Sequence, residues 1–372
     1  METNKADALH SKYIIDGVPQ DLTPYAILEE CVGSGGNVMP EAAGVIVDES
    51  EDPDLRHIPA LLHAVPSYIE AISGHEDVFP FQFADSYTRN LIDRVLLDAV
   101  WRKGHFASGD LCVTARWEWN TSGVGSMAAF YSSVQALADY LDRLDIRLST
   151  YSFEPSEQCS LHLEVSLAPD VAPEGDSDSL FDDSPFRSVE PQMLQERQVP
   201  ACMSSDSSDW VIYVPFDTCD YRFGGSAFAL SQGYTGTTAP EVDDPDYFLD
   251  CYEVVRELVE DGIIKAGCTV GKGGLAYALD GMTRGASGIC ADLGALARAS
   301  GQDNEVKVAF AEVPGVLIEI ADDDFDYVDA ELLLQDVAFY PLGHPCTSKK
   351  GFSLAEGGKI GLEAILGSLI NK

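Results

Sequence analysis

Two glycine clusters hold the residue types that grip anions. In KAGCTVGKGGLAYALDGM, residues 265–282, Gly271, Lys272, Gly273 and Gly274 stand directly before a helical pattern. At a helix start the backbone N–H groups have no intrahelical partner, the dipole adds roughly half a positive charge, and glycine lets an anion come close. Lys272 adds a full charge to that turn. The stretch is not G-x-x-x-x-G-K-[ST], and a Gly-Gly pair before a helix also serves as a simple turn, so a phosphate cradle and a structural turn both remain open. Gly224, Gly225 and Ser226 make a second such place after the apolar run WVIYVPF. They fit a backbone nest for an anion, or a tight turn in which Ser226 caps the next helix.

Other chemistry-bearing residues are less specific. The run Asp322, Asp323, Asp324, Asp326 lacks the spacing of a calcium loop and is predicted to be a solvated turn capping the helix behind it. Trp117 and Trp119 share one face of an alternating segment, with Glu118 on the other, and are assigned to the core. No spacing singles out a Ser/His/Asp or Cys/His set, so no catalytic residue is assigned. The nine cysteines are scattered without a C-x-x-C, and the seven histidines make no H-E-x-x-H. Free thiols in a reducing cytosol are expected, with no zinc site.

These residues need elements to hold them. A short strand is predicted over 43–47. Leu91, Val95, Leu96 and Val100 fall at helical spacing, LCVTARWEW (111–119) alternates as a strand, and Phe130, Val134, Leu137, Leu141 and Leu144 mark a second helix. IRLSTYSF, LHLEVSLA and WVIYVPF read as strands. The stretch 168–192, rich in Asp, Ser and Pro, reads as a solvated linker. In DYFLDCYEVVRELVEDG, Phe248, Cys251, Tyr252, Val255, Leu258 and Val259 form one helical stripe, with Gly262 where a helix end wants positive φ. A strand from Ile263 leads to the GKGG turn and a helix over Leu275–Met282. VKVAFAE and GVLIEIA then read as two strands and DFDYVDAELLLQD as a helix, an α/β layer arrangement.

Composition bounds the partners. With 62 acidic against 23 basic residues the net charge is −39, which repels nucleic acid phosphates and anionic membrane surfaces. The 372 residues suffice for two domains of ordinary size. No run of about 18 apolar residues is present to span a membrane, and the N-terminus METNKADALHSKY has no apolar signal core, so a cytoplasmic location is expected.

Taken together, DYRFGGSAFA, then APEVDDPDYFLDCYEVVRELVEDGIIKAGCTVGKGGLAYALDGM, then VAFAEVPGVLIEIADDD resemble the C-terminal domain of the aminoimidazole ribonucleotide synthetase-like superfamily. Within it they are most similar to the second synthetase half of the phosphoribosylformylglycinamidine synthases. Upstream, SYTRNLIDRVLLDAVWRKGHFASGDLCVTARWEWN and FYSSVQALADYLDRLDI are similar to the partner N-terminal domain. The resemblance implies an α/β (α+β), two-domain fold, with a mixed-sheet N-terminal domain and an α/β C-terminal domain. The expected division is a lead-in over 1–35, the N-terminal domain over 36–167, an acidic linker over 168–204, the C-terminal domain over 205–350 and a tail over 351–372.

It also implies a function. The family uses ATP, Mg²⁺ and glutamine-derived ammonia to turn the formamide of formylglycinamide ribonucleotide into an amidine, in de novo purine biosynthesis. The implied partners are another synthetase half, a glutaminase domain or subunit and a small phosphorylated substrate, with pairing through the N-terminal sheet. Carried onto this chain, the glycine turns Gly271–Gly274 and Gly224–Ser226 become nucleotide and phosphate contacts, and Asn90 a metal ligand. The family's glutamate four residues before that asparagine is Ser86 here, with Asp85 about 100° around the helix. Its aspartate in the glycine turn is Thr269, and its Gly-Lys-Asp-Ser stretch is Tyr151-Ser152-Phe153-Glu154. Two alternatives follow from those departures: a scaffold paralogue that kept the fold and lost the site, or a related synthetase for another phosphorylated small molecule.

Overall fold

The computed structural model describes residues 6–32, 64–75, 77–104, 106–168, 192–217, 221–233, 236, 238–240, 242, 244–285, 287–302, 304–348 and 350–355. The strand expected over 43–47, most of the acidic linker and the end of the C-terminal tail lie outside these residues.

The first layer is a four-stranded mixed sheet in the order Arg147–Pro155, Leu111–Trp119, Ser160–Leu167, Gln192–Met193. Its first two strands run parallel, joined by the helix Ser126–Arg143, and the others pair antiparallel. Alternation along Leu111–Trp119 turns Val113, Ala115, Trp117 and Trp119 inward, all fully buried, while Arg116 stays exposed. The helices Ala84–Val100 and Ser126–Arg143 pack over that face. Both indoles find acceptors there, Trp117 on the Ser133 hydroxyl at 3.1 Å and Trp119 on the Ser126 carbonyl at 2.8 Å, so their assignment to the core holds.

The second layer is an antiparallel sheet in the order Tyr340–Gly343, Trp210–Pro215, Gly315–Ile320, Ile264–Val270. Both its faces are covered. Ile212, Val214, Val316 and Ile318 join a core that continues through the helix Pro245–Glu260 into the first layer, while Val211, Tyr213 and Leu317 belong to a second core with the helix Gly274–Met282. The helix Pro245–Glu260 starts on an Asp244 side-chain cap and stops at Gly262, whose φ of 72° is the left-handed turn expected from the sequence.

One element differs in type. The segment predicted as the strand VKVAFAE is the helix Glu305–Phe310. The Asn304 side chain accepts the Val306 N–H at 3.0 Å and nucleates the helix, and its wall of buried residues shows no two-fold alternation. A short apolar run fits either element by pattern alone, and here the cap decides. The acidic run forms a short 3-10 turn, Asp322–Asp324, before the helix Phe325–Leu334. No side-chain cap bond forms at Asp324, and Asp322 instead accepts the Trp210 indole at 2.7 Å.

Candidate functional site

Strand register gathers the candidate residues at one end of the antiparallel sheet. Gly315 lies opposite both Pro215 and Val270. The chain leaving Trp210–Pro215, the GKGG turn leaving Ile264–Val270 and the Ala311–Pro314 lead into Gly315–Ile320 are therefore neighbours. Gly273 and Gly274 take φ of 75° and 65°, a left-handed pair that glycine adopts without strain. A Cβ on Gly274 would sit 2.6 Å from the Ala311 carbonyl oxygen, so the turn lies directly on the backbone that carries Glu312. The second turn is as tight: a Cβ on Gly224 would collide with the Thr238 carbonyl, and Ser226 caps the helix Ala227–Ser231 by accepting the Ala229 N–H at 3.2 Å.

Glu312 joins the two turns. Its Oε1 accepts the Gly273 N–H at 2.8 Å and the Ala227 N–H at 2.9 Å, and its Oε2 accepts Arg94 Nη2 at 2.5 Å. The carboxylate is 5% exposed and the guanidinium 19%. A buried charge survives only with such compensation, and charge-assisted bonds are the strong ones. Arg94 comes from the helix Ala84–Val100 of the first layer, so the knot also ties the layers together. Gly271 makes room for it, because a Cβ there would lie 2.9 Å from Arg94 Cδ and Nε.

Beside this knot is a cleft of about 250 Å³. Lys272, Arg94 and Glu312 line it, with Gly225 and Ala227 from the second turn, Tyr87 and Leu91 from the long helix, Ser160 and His162 from the edge of the mixed sheet, and His75, Asp77, Val78 and Phe79. Lys272 Nζ pairs with Asp77 Oδ1 at 2.5 Å, with Asp77 71% exposed. His162 Nε2 lies 3.0 Å from the Ser160 hydroxyl and 3.9 Å from Glu118. The structure thus brings Gly271–Gly274 and Gly224–Ser226 to one place.

The residues carried over for a metal are dispersed. Asn90 is buried, its Nδ2 donating to the Pro240 carbonyl at 3.4 Å and its Oδ1 buried without a hydrogen-bond partner. Ser86 is buried and Asp85 exposed. Thr269 is engaged elsewhere, donating to Asp98 at 2.7 Å and accepting the Trp101 indole at 2.9 Å. In the Tyr151–Glu154 stretch Tyr151 donates to Glu29 at 2.7 Å, and none of the four residues lines the cleft. Among the described residues no group of three His, Cys, Asp or Glu is placed to hold a metal ion. This donor set does not fit the Mg²⁺ that the resemblance implies.

One turn along the helix from Asn90 is Asp93, fully buried. Its Oδ1 accepts the Tyr140 hydroxyl at 2.7 Å, and its Oδ2 has no partner. Burial drives its pKa well above the ordinary carboxylate range; the Tyr140 hydrogen bond works against that, the charge of Asp217 adds to it, and Arg94 and Arg89 oppose it. Sequence reasoning gave no site role to Asp93, Arg94, Glu312, His75 or His162, although Glu312 belongs to the stretch VAFAEVPGVLIEIADDD that carries the resemblance. The one available signal was an acid, Glu312, set inside the apolar stretch VAFAEVPGVLIEI.

No family model matches the chain. It is 32% identical to a probable phosphoribosylformylglycinamidine synthase of Arabidopsis thaliana over 124 residues, 33% of this chain and 8% of that protein. It is 25% identical to the phosphoribosylformylglycinamidine synthase of Drosophila melanogaster over 244 residues, 63% of this chain and 17% of that protein. Among solved structures, Thermotoga maritima PurL complexed with FGAR is similar, with a TM-score of 0.48 and 12% identity over 76% of this chain and 40% of that one. The relatives carry the name that the sequence resemblance gave, and the chain spans only a small part of their length.

Proposed function

We propose that this chain is a synthetase half of a phosphoribosylformylglycinamidine synthase, acting in de novo purine biosynthesis with another synthetase half and a glutaminase. The carrying observation is that its two glycine turns converge, through Glu312, on one cleft that also holds Lys272 and Arg94. The sequence similarity to the plant and fly enzymes supports that reading of the cleft. Its substrate is a small phosphorylated molecule, and ATP supplies the phosphoryl group that activates an amide oxygen for attack by ammonia.

The chain's own residues would divide that work simply. Lys272 and Arg94 offset phosphate charge, the two glycine turns bring Lys272 and Gly225 to the cleft, and Phe79 and Leu91 give it an apolar wall. No step is assigned to Mg²⁺ through Asn90, because its expected carboxylate neighbours are Ser86 and Thr269. Those replacements favour a second reading, a non-catalytic half that completes a shared cleft for its partner.

Among the described residues no helix is long and apolar enough to cross a membrane. Co-expression with a glutaminase and a partner synthetase half, followed by size-exclusion chromatography, tests the assembly. Thermal-shift titration with ATP, ADP and formylglycinamide ribonucleotide, with and without Mg²⁺, tests the ligands by mass action. Co-elution with amidine formation supports the first reading. Co-elution with no shift from any ligand supports the second, and failure on both counts removes the proposal.

A further inference from the structure

The edge of the antiparallel sheet carries a pair of thiols that the cleft does not use. Ile264–Val270 is an outermost strand of the described sheet, and the segment 199–203 crosses its open edge. Val199 belongs to the first core and donates its N–H to the Trp101 carbonyl at 3.2 Å. The Pro200 carbonyl then accepts the Gly267 N–H at 2.9 Å, and Met203 enters the second core with its N–H on the Met282 carbonyl at 3.1 Å. The crossing delivers Cys202 to the face of the strand where Ala266, Cys268 and Val270 meet the second core, while Gly267 and Thr269 turn to Trp101 on the other face. We infer that Cys202 and Cys268 are a thiol pair that hydrogen peroxide converts to a disulfide, stapling the crossing segment to the strand that leads into the GKGG turn. The staple is independent of the proposed synthetase activity.

The surroundings of the two sulfurs fit that chemistry. Cys202 is exposed and Cys268 half-buried, so the oxidant meets one thiol first and the other stands behind it. Arg197 neighbours both: its Nε donates to the Val199 carbonyl at 2.7 Å, its Nη2 donates to the Gly267 carbonyl, and it interacts electrostatically with each sulfur. A guanidinium beside a thiol favours the thiolate, the form that attacks peroxide. Cys202 also packs over Gly285, where an added Cβ would lie 3.3 Å from the Cys202 Cβ, and Arg284 beside that glycine is in turn an electrostatic neighbour of Cys268. Burial pushes the Cys268 thiol up to about 11, Arg197 opposing that rise and Asp98 and Cys202 adding to it, which suits a thiol that reacts second. Residues 200–202 are exposed, so their side of the pair can shift to the Cα separation of roughly 4.4–6.8 Å that a disulfide needs.

In the first step the Cys202 sulfur attacks one peroxide oxygen, the O–O bond breaks, and Cys202 sulfenic acid and one water form. In the second the Cys268 sulfur attacks the Cys202 sulfur, the S–OH bond breaks, and the departing hydroxide leaves with the Cys268 proton as water. Two thiols give up two electrons and two protons, and one peroxide becomes two waters.

The test treats the full chain with hydrogen peroxide, blocks remaining thiols with N-ethylmaleimide and maps peptides by mass spectrometry after digestion with trypsin and chymotrypsin. Cleavage after Trp210 separates Cys202 from Cys219. A link between the peptides 198–210 and 266–272 is expected, two hydrogens lighter than their sum and lost on adding dithiothreitol. Cys268→Ser, which lacks the second thiol, should stop at the Cys202 sulfenic acid and take up dimedone. Its folding is established by circular dichroism, and absence of label in the folded variant overturns the inference. So does a wild-type pair left fully alkylated, a Cys202 oxidised to sulfinic acid beside an alkylated Cys268, or a link from either cysteine to a different one. The wild-type map decides even where Cys268→Ser does not fold.

Discussion

Two buried carboxylates stand near adjacent residues of one helix and meet opposite fates. Glu312 reaches Arg94 and two backbone N–H groups and is fully compensated. Asp93, the neighbour of Arg94, has one hydroxyl partner and one oxygen with none. The difference shows what each acid does for the fold. A carboxylate with charged and backbone partners fixes geometry, here the separation of two glycine turns and of two layers. One held by a single hydroxyl keeps a proton to higher pH and makes stability depend on it.

Breaking the compensated site should have the largest effect. Arg94→Ala leaves the Glu312 carboxylate buried beside two N–H groups with no countercharge, which should cost about 3–5 kcal/mol in chemical denaturation. A loss under about 1 kcal/mol would mean that water replaces the guanidinium at no great penalty, and the contrast between the two acids would collapse.

Asp93→Asn sharpens the other side. The folded protein holds the Asp93 proton above the pH at which the unfolded chain releases it, because burial raises its pKa. Native protein therefore binds more protons than unfolded protein in the window from the ordinary carboxylate value, 3.8, up to the raised one, and stability falls as pH rises through it. Each pH unit inside that window is worth about 1.4 kcal/mol. Asparagine keeps an acceptor for Tyr140 and removes the titration, so the variant should gain on the wild type with rising pH and level off above the raised value. Glu319 and Glu305, also shifted upward by burial, give both proteins a slope of the same sign, so the difference between the two profiles is what must be read from denaturation midpoints. A difference that stays flat from pH 4 to pH 8 would show that Asp93 is ionised throughout.

Gly271→Ala probes the same knot more gently. The backbone at Gly271 tolerates a side chain, but its Cβ would press on Arg94 Cδ and Nε at 2.9 Å. Because the obstacle is a flexible side chain, a loss of about 1–2 kcal/mol is expected, below that of Arg94→Ala. Measured in an Arg94→Ala background the effect should shrink toward zero, since its cause is then absent.

Much of the fold was legible because period and burial agree. Leu111–Trp119 alternates and its inward indoles are buried, and the Pro245–Glu260 stripe ends at the glycine that stops it. Glu305–Phe310 was not, since its five consecutive buried residues, 306–310, carry no period and only the Asn304 cap tells helix from strand. The glycine turns were visible as turns, yet their use was hidden. Arg94 and Glu312 are 218 positions apart, and nothing local in either segment announces that the helix Ala84–Val100 packs where it brings them together.

The smallest stability change should come from Lys272→Ala, and that smallness carries meaning. Lys272 is 31% exposed and its partner Asp77 71%, so the pair is solvated, salt-screened and worth within about 1 kcal/mol. A near-neutral denaturation midpoint, unchanged between low and high salt by more than that amount, is the expected result. The lysine stands in a glycine turn whose neighbouring N–H is already spent on Glu312, so its charge has no structural task comparable to that of Arg94. A large loss of stability on its removal would make Lys272 part of the knot, and the division between a fixed guanidinium and an exchangeable ammonium would no longer hold.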